Sequence, residues 1–210
     1  MRTLIAIPCM DTVDTLFFIS CMDMARPEGT QVAVSVSSLV YNARNMLAKK
    51  AIDEGFDRVL WLDSDMKFPS DIIHRLGAHL DAGLEYVSAL YFTRKAEIKP
   101  VVYSGIGYKN TPDGKQPYAT PFTDYPEGLF EIAGSGFGAV MMTTDLIKRC
   151  GAQPFFPVMG FGEDFSFCLR AKQAGARMWC DSTIKLGHSG TTLFDEKTYQ
   201  TQRKGGGTHG

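Results

Sequence analysis

Asp63-Ser64-Asp65 follows directly on the apolar run Arg58-Val59-Leu60-Trp61-Leu62. In an open α/β sheet, ligands bind beyond the carboxyl ends of the strands. Two carboxylates two residues apart in extended chain point to one side. They repel each other there, and a hard divalent cation relieves that repulsion. Helix capping is the plainer role for such aspartates, but Ser70 is available to cap the next helix and Pro69 separates the two segments. The acidic pair is therefore read as a metal site. His188, in Leu186-Gly187-His188-Ser189-Gly190, follows the last strand candidate. Oxygen plus imidazole ligation suits Mn²⁺ better than Ca²⁺.

Other candidates keep two readings each. Glu163-Asp164 opens a helix after Gly160-Phe161-Gly162. Acidic residues in a first helical turn are favoured by the helix dipole, yet a carboxylate there also suits a general base at a pocket mouth. Arg44 and Asn45 lie on a helix, either as solvated residues or as contacts to a diphosphate or nucleoside. Arg94 and Lys95, just past another strand, share that ambiguity. Gly134-Ser135-Gly136-Phe137-Gly138 precedes a strand rather than a helix, so it is no dinucleotide fingerprint. Its glycines are expected to permit a turn and close backbone approach to a ligand.

The elements that must position these residues alternate along the first half. Strands are expected at 3–7, 31–35, 58–62 and 86–92, and helices at 11–25, 39–54 and 70–82. This βαβ alternation predicts an α/β fold with a mostly parallel, mixed central sheet flanked by helices. Further on, strands are expected at 101–108, 130–133, 138–143, 178–180 and 184–186, with helices at 145–150 and 163–174. The proline-rich segment 110–128 reads as a long functional loop. Residues 1–195 are expected to form one catalytic domain, and 196–210 a polar, flexible tail ending in Lys-Gly-Gly-Gly-Thr-His-Gly.

Composition narrows the function classes. Lys and Arg number 22 against 23 Asp and Glu, giving a net charge of −1, which argues against coating a polyanion. No apolar run is long enough to span a bilayer, and Asp11 and Asp14 interrupt the apolar N-terminus too early for a signal peptide. The five cysteines form no CxxC pair. They are read as reduced thiols of a cytoplasmic protein.

The ordered set of motifs resembles glycosyltransferases of the GT-A fold, family 2-like, of the short bacterial and phage type. Arg58 to Asp65 resembles their DxD region, Ile5-Ala6-Ile7-Pro8 the opening strand, and Ala43-Arg44-Asn45 a segment upstream of the metal motif. Gly134 to Gly138 resembles the glycine-rich strand entry, Gly162-Glu163-Asp164 the "ED" motif, and Leu186-Gly187-His188 the late histidine. The resemblance implies transfer of a sugar from a nucleotide-diphosphate sugar to an acceptor hydroxyl, with inversion. It implies Asp65 and His188 as metal ligands, with Asp63 assisting them or holding the ribose. Mn²⁺ is the expected ion and Mg²⁺ the alternative. Pro8, Asp11, Arg44, Asn45, Asp63, Ser64 and Gly136 would bind the nucleotide sugar, a UDP-sugar or else a GDP-sugar. Asp164 would be the base, with Glu163 beside it. The acceptor would be a glycan, a protein or a nucleic-acid base. One loop departs from the family: Pro8-Cys9-Met10-Asp11 replaces its usual polar sequence.

Two other functions share parts of this pattern. A sugar-nucleotide nucleotidyltransferase has the layout and a metal carboxylate, but needs a basic glycine-rich loop where this chain has an acidic one. A non-catalytic nucleotide- or glycan-binding module would need no intact base.

Overall fold

The computed structural model describes residues 1–190 and 193–205. Its strands are β1 (Thr3–Cys9), β2 (Thr30–Val36), β3 (Arg58–Leu62), β4 (Met66–Lys67), β5 (Tyr86–Leu90), β6 (Val102–Thr111), β7 (Gly114–Pro121), β8 (Leu129–Ile132), β9 (Gly134–Ser135), β10 (Ala139–Thr143), β11 (Met178–Lys185) and β12 (Gly187–His188). Its helices are α1 (Thr15–Asp23), α2 (Val40–Asp53), α3 (Ile72–Asp81), α4 (Thr144–Arg149), α5 (Glu163–Gln173) and α6 (Glu196–Gly205).

Seven strands form the central sheet, in the order β2-β1-β3-β10-β5-β11-β8. β1 pairs in parallel with β2 and β3, and β5 in parallel with β11, while β10 and β8 run against their neighbours. The fold is thus α/β with a mixed sheet. The apolar runs of β1, β3 and β5 are buried throughout, as strands covered on both faces must be. One face packs Phe17 of α1 and its C-cap Met24 with Ile72, Ile73 and Leu76 of α3. The other packs Leu47 and Ala51 of α2, Leu146 of α4, Phe167 of α5 and Tyr199 of α6. βαβ alternation alone did not anticipate that β10 threads between β3 and β5.

Several local expectations are corrected. The helix expected at 11–25 begins at Thr15, because the Asp14 side chain caps it by accepting the Leu16 N–H at 2.7 Å. α3 is preceded by Asp71 and has no side-chain cap, so Ser70 does not take that role. The N-cap residue of α2 is Leu39, whose N–H donates to the Ser37 hydroxyl. The segment 110–128 is loop only over 122–128: before it, β6 and β7 pair from Tyr103↔Pro121 to Thr111↔Gly114 as a long antiparallel hairpin. Pro117 and Pro121 sit on the outer strand, where a missing N–H costs no ladder bond, and Pro112 lies in the turn. β11 is one strand with a bulge between Asp181 and Lys185, where two strands were expected.

The expected tail is also corrected over 196–205, which form α6. Its polar composition conceals one anchor. The Tyr199 ring is buried, stacks on Phe92 at 4.8 Å and donates its hydroxyl to the Thr123 carbonyl at 2.8 Å. Residues 206–210 lie outside the described residues. Tyr199→Phe keeps the stack and deletes one hydrogen bond, so urea denaturation is expected to show a loss of about 1 kcal/mol.

Candidate functional site

β1 and β3 deliver their carboxyl ends to one cleft. Its lining includes Pro8 and Cys9 at the end of β1 and Met10 after it, Ser37 before α2 and Val40 at its start, Asp63 to Asp65 after β3, and Glu163 and Asp164 at the start of α5, with Arg44 on the floor. The cavity is about 240 Å³. Larger concavities exist, such as one of about 320 Å³ between residues 97–100 and α6, but that one brings together no pair of aspartates and no histidine. The acidic cleft is where chemistry can occur.

Arg44 organises the cleft floor. It is about 1% exposed, and its guanidinium lies 5.0 Å from the centre of the Phe137 ring. Nη2 donates to Asp63 Oδ1 at 2.8 Å and stands 3.5 Å from Asp164 Oδ1, while Nε stands 3.6 Å from Glu163 Oε1. Burial works against its charge, but Asp63, Asp164 and Glu163 outweigh burial and hold it protonated. One cation therefore serves three carboxylates. Burial pushes the Asp63 carboxyl up, opposed by Arg44 and reinforced by Asp65. Burial pushes Asp164 well above the ordinary carboxylate range; Arg44 opposes this, and Glu163 and Asp63 add to it. Arg44 was expected to be a surface residue or a diphosphate contact; it is a buried counter-ion.

Asp63 and Asp65 do not point the same way. β3 ends at Leu62, and the Met66 N–H donates to the Asp63 carbonyl at 3.2 Å. The motif is thus a turn, where the two-residue period of extended chain fails. Asp63 reaches down to Arg44. Asp65 reaches across to Arg94 Nη2 at 2.9 Å and to His188 Nε2 at 3.5 Å. Burial raises the Asp65 carboxyl, but the hydrogen bond and charge of His188 and the charge of Arg94 bring it below its usual value. Asp65 Oδ1 and Asp164 Oδ1 are buried with no hydrogen-bond partner.

His188 arrives on β12, which pairs antiparallel with β4 just past the acidic turn. Its Nδ1 lies 2.9 Å from the Phe92 carbonyl. That contact requires Nδ1 to carry a proton, which makes Nε2 the ring atom that faces Asp65 and the one that could ligate a metal. Loop bonds fix this approach: the Ser189 N–H donates to the Asp65 carbonyl at 2.8 Å, and the Ser189 hydroxyl donates to Asp14 Oδ2 at 2.7 Å. Asp14 also caps α1 and donates its N–H to the Ser64 carbonyl at 2.9 Å. No spacing rule pointed to Asp14 or Ser189, whose partners are distant in sequence. Among the described residues, no group of three or more His, Cys, Asp or Glu side chains converges as a self-sufficient metal site. Asp65 and His188 could supply two ligands to a divalent ion.

Three expected site residues lie elsewhere. Asp11 is exposed and does not line the cleft. Asn45 Oδ1 accepts the Phe155 N–H at 3.0 Å, tethering the segment before α5 to α2. Gly136 is buried, and a Cβ there would lie 2.0 Å from the Tyr91 hydroxyl and 2.8 Å from Val101. The close approach that requires glycine is thus the approach of Tyr91, which also accepts the Gly138 N–H at 3.2 Å. Gly136→Ala is expected to lower stability by about 2 kcal/mol through overpacking, measurable as a lower urea midpoint at unchanged slope. The β6–β7 hairpin flanks the cleft: Tyr103 packs edge-on against Phe165 at 4.7 Å, and burial with the charge of Asp164 pushes its phenol up.

No protein-family model matches the chain, and neither does any curated protein sequence. Solved structures do match. A197 from STIV superposes with a TM-score of 0.66 at 19% identity, covering 90% of this chain and 86% of that one. GalNAc-T7, solved with UDP, GalNAc and Mn²⁺, superposes with a TM-score of 0.59 at 13% identity over 89% of this chain. The matched region spans only 43% of the GalNAc-T7 chain. At these identities the likeness concerns the backbone alone, and the chain has a GT-A-like fold.

Proposed function

We propose that the chain is a metal-dependent glycosyltransferase, family 2-like and inverting, acting on a nucleotide-diphosphate sugar, with UDP as the favoured nucleotide and GDP the alternative. Support comes from one juxtaposition: Asp65 with His188, held through its Nδ1, and Glu163 with Asp164, meet at a single cleft beyond β3 of a GT-A-like fold. GalNAc-T7, which shares that fold, was solved with UDP and Mn²⁺. Asp65 and His188 would hold the divalent ion, Mn²⁺ before Mg²⁺. When bound, such an ion neutralises charge on the departing diphosphate. Pro8, Ser64 and Asp63 line the same cleft and would take the nucleoside and ribose. Asp164 would accept the proton of the acceptor hydroxyl as that oxygen attacks the anomeric carbon. Arg44, on the floor of the cleft, would hold Asp63, Glu163 and Asp164 in register. The acceptor class stays open among glycan, protein and nucleic-acid base. Cytoplasmic action belongs to the same proposal and is supported by the free state of all five cysteines. Among the described residues, no helix is long and apolar enough to cross a membrane.

The test is a panel of nucleoside diphosphates and nucleotide sugars titrated with and without Mn²⁺ against melting temperature. A ligand that binds only the native state raises it. A shift with one nucleotide that requires Mn²⁺ is expected. A metal-independent shift favours a nucleotide-binding module, a reading consistent with Arg94, which already supplies Asp65 with a positive partner. No shift with any nucleotide refutes the donor site.

A further inference from the structure

β2 is an edge strand of the central sheet, and its sequence, Thr-Gln-Val-Ala-Val-Ser-Val, carries no charge and no proline. Edge strands usually carry such residues to prevent pairing with another chain. Its two faces differ. Ser35 is buried under α2, with its hydroxyl 3.9 Å from the Met46 sulfur. Val32, Val34 and Val36 project from the opposite face and are 44%, 56% and 67% exposed. Val32 and Val34 stand in register with Ile5 and Ile7, on the face that α1 covers through Phe17 and its C-cap Met24. α1 is apolar nearly all round, a pattern that belongs to a buried helix, yet Phe18, Ile19 and Met22 are 56%, 49% and 68% exposed.

The backbone of β2 is equally ready to pair. The Ser37 N–H donates to the Cys9 carbonyl of β1. In a parallel ladder alternate residues turn both backbone groups to the same neighbour. The valines, one residue out of phase, therefore turn their N–H and C=O groups away from β1 toward solvent. We propose that β2 and the neighbouring face of α1 form a homodimer interface, in which the β2 strands of two copies pair antiparallel and join their sheets.

A twofold axis at Val34 sets that residue against the partner's Val34, and Val32 against the partner's Val36. This gathers six valines on one face and satisfies the outward backbone groups. The size is close to adequate. Six side chains about half exposed present on the order of 350 Å² of apolar surface per copy, taking roughly 100 Å² for each side chain when fully exposed. A stable interface buries about 800 Å² per partner, of which somewhat over half is apolar. A lipid surface is the less suitable occupant, because Asp11, Asp14, Asp23 and Glu28 cluster in the sequence around α1 and anionic headgroups repel acidic side chains.

Sedimentation velocity of the full chain across the micromolar range is expected to show a dimer. Val34→Lys places like charges directly opposite each other across the axis. The dissociation constant is expected to rise about tenfold or more, as losing one buried valine per copy implies. Val34 is more than half exposed in a single copy, so the variant should keep its melting temperature when dissociated. Val36→Lys serves as an independent second variant. Amide exchange of Val32, Val34 and Val36 is expected to slow with concentration in the wild type only. A wild-type monomer at every concentration overturns the interface, as does a dimer that both lysine variants leave intact. A monomer that co-sediments with phosphatidylcholine vesicles assigns the face to lipid and overturns it too. None of these measurements depends on the nucleotide site.

Discussion

Replacing Asp65 with alanine is expected to abolish the Mn²⁺-dependent rise in melting temperature given by the cognate nucleoside diphosphate, weakening metal affinity by about 100-fold or more. The figure is the upper range for losing a supporting partner of a metal ligand, and here a ligand itself is removed. Asp65 is suited to this role by its surroundings. His188 and Arg94 overcome the effect of burial and keep the carboxylate ionised. Its Oδ1 is buried without a hydrogen-bond partner, a state with a sizeable desolvation cost unless a further partner binds. Asp65→Ala should leave the fold largely intact. His188 keeps its Phe92 contact through Nδ1, and Arg94 keeps the Ser189 carbonyl at 2.7 Å. Isothermal titration of the diphosphate with Mn²⁺ measures the effect directly. A titration curve unchanged from wild type removes Asp65 from the metal site. His188→Ala is expected to act in the same direction and more weakly, since a neutral imidazole contributes less than a carboxylate to holding a hard cation.

The parts of the site legible in sequence were those that follow from strand context. An apolar run ending in Asp63-Ser64-Asp65 places carboxylates beyond a buried strand, and a histidine after the last strand arrives at the same edge of the sheet. Geometry at finer scale was not legible. Asp63 and Asp65 looked equivalent at spacing two, and only the turn closed by Met66 separates them. Asn45 sits beside Arg44 in sequence, but one helical step is about 100°; Arg44 faces the cleft floor and Asn45 faces Phe155. Gly136 pointed to a close approach, but the group that makes it, Tyr91, lies just past β5, 45 residues earlier in the chain. Nonlocal contacts of this kind also account for the fold-level differences. The insertion of β10 between β3 and β5, the β6–β7 hairpin and the docking of α6 through Tyr199 all depend on partners far along the chain.

Arg44 links the two halves of the site electrostatically. It neutralises one of three nearby carboxylates' worth of charge, so the cleft keeps an excess negative charge in a partly buried setting. Such clusters are costly to stability and recur where ligands supply the missing positive charge. A cation bound at Asp65 would make the potential at Asp63 more positive and favour its ionised form, while Asp164, across Arg44, would stay the most weakly compensated group.

Asp164→Asn follows from that imbalance, with opposite effects on activity and stability. Transfer to the acceptor is expected to fall by about 10²- to 10⁴-fold in kcat, the range for losing a general base, while donor titration with Mn²⁺ stays near wild type. The pH profile supplies the second readout. Burial raises the Asp164 carboxyl well above its ordinary value, and a base works only when ionised. Wild-type activity should therefore climb with pH through that raised value, and the residual activity of the variant should lose this limb. Stability runs the other way. The native state holds the Asp164 proton more tightly than the unfolded chain does, so this group's contribution is present below the unfolded value and lost as pH rises through the folded one. Asparagine cannot ionise, and Arg44 keeps its 2.8 Å bond to Asp63. The variant should accordingly melt higher than wild type at neutral pH and show no such advantage in acid. A variant with wild-type turnover would move the base to Glu163. A variant that melts lower at neutral pH would mean that the Arg44 contact at 3.5 Å outweighs the burial of the Asp164 charge.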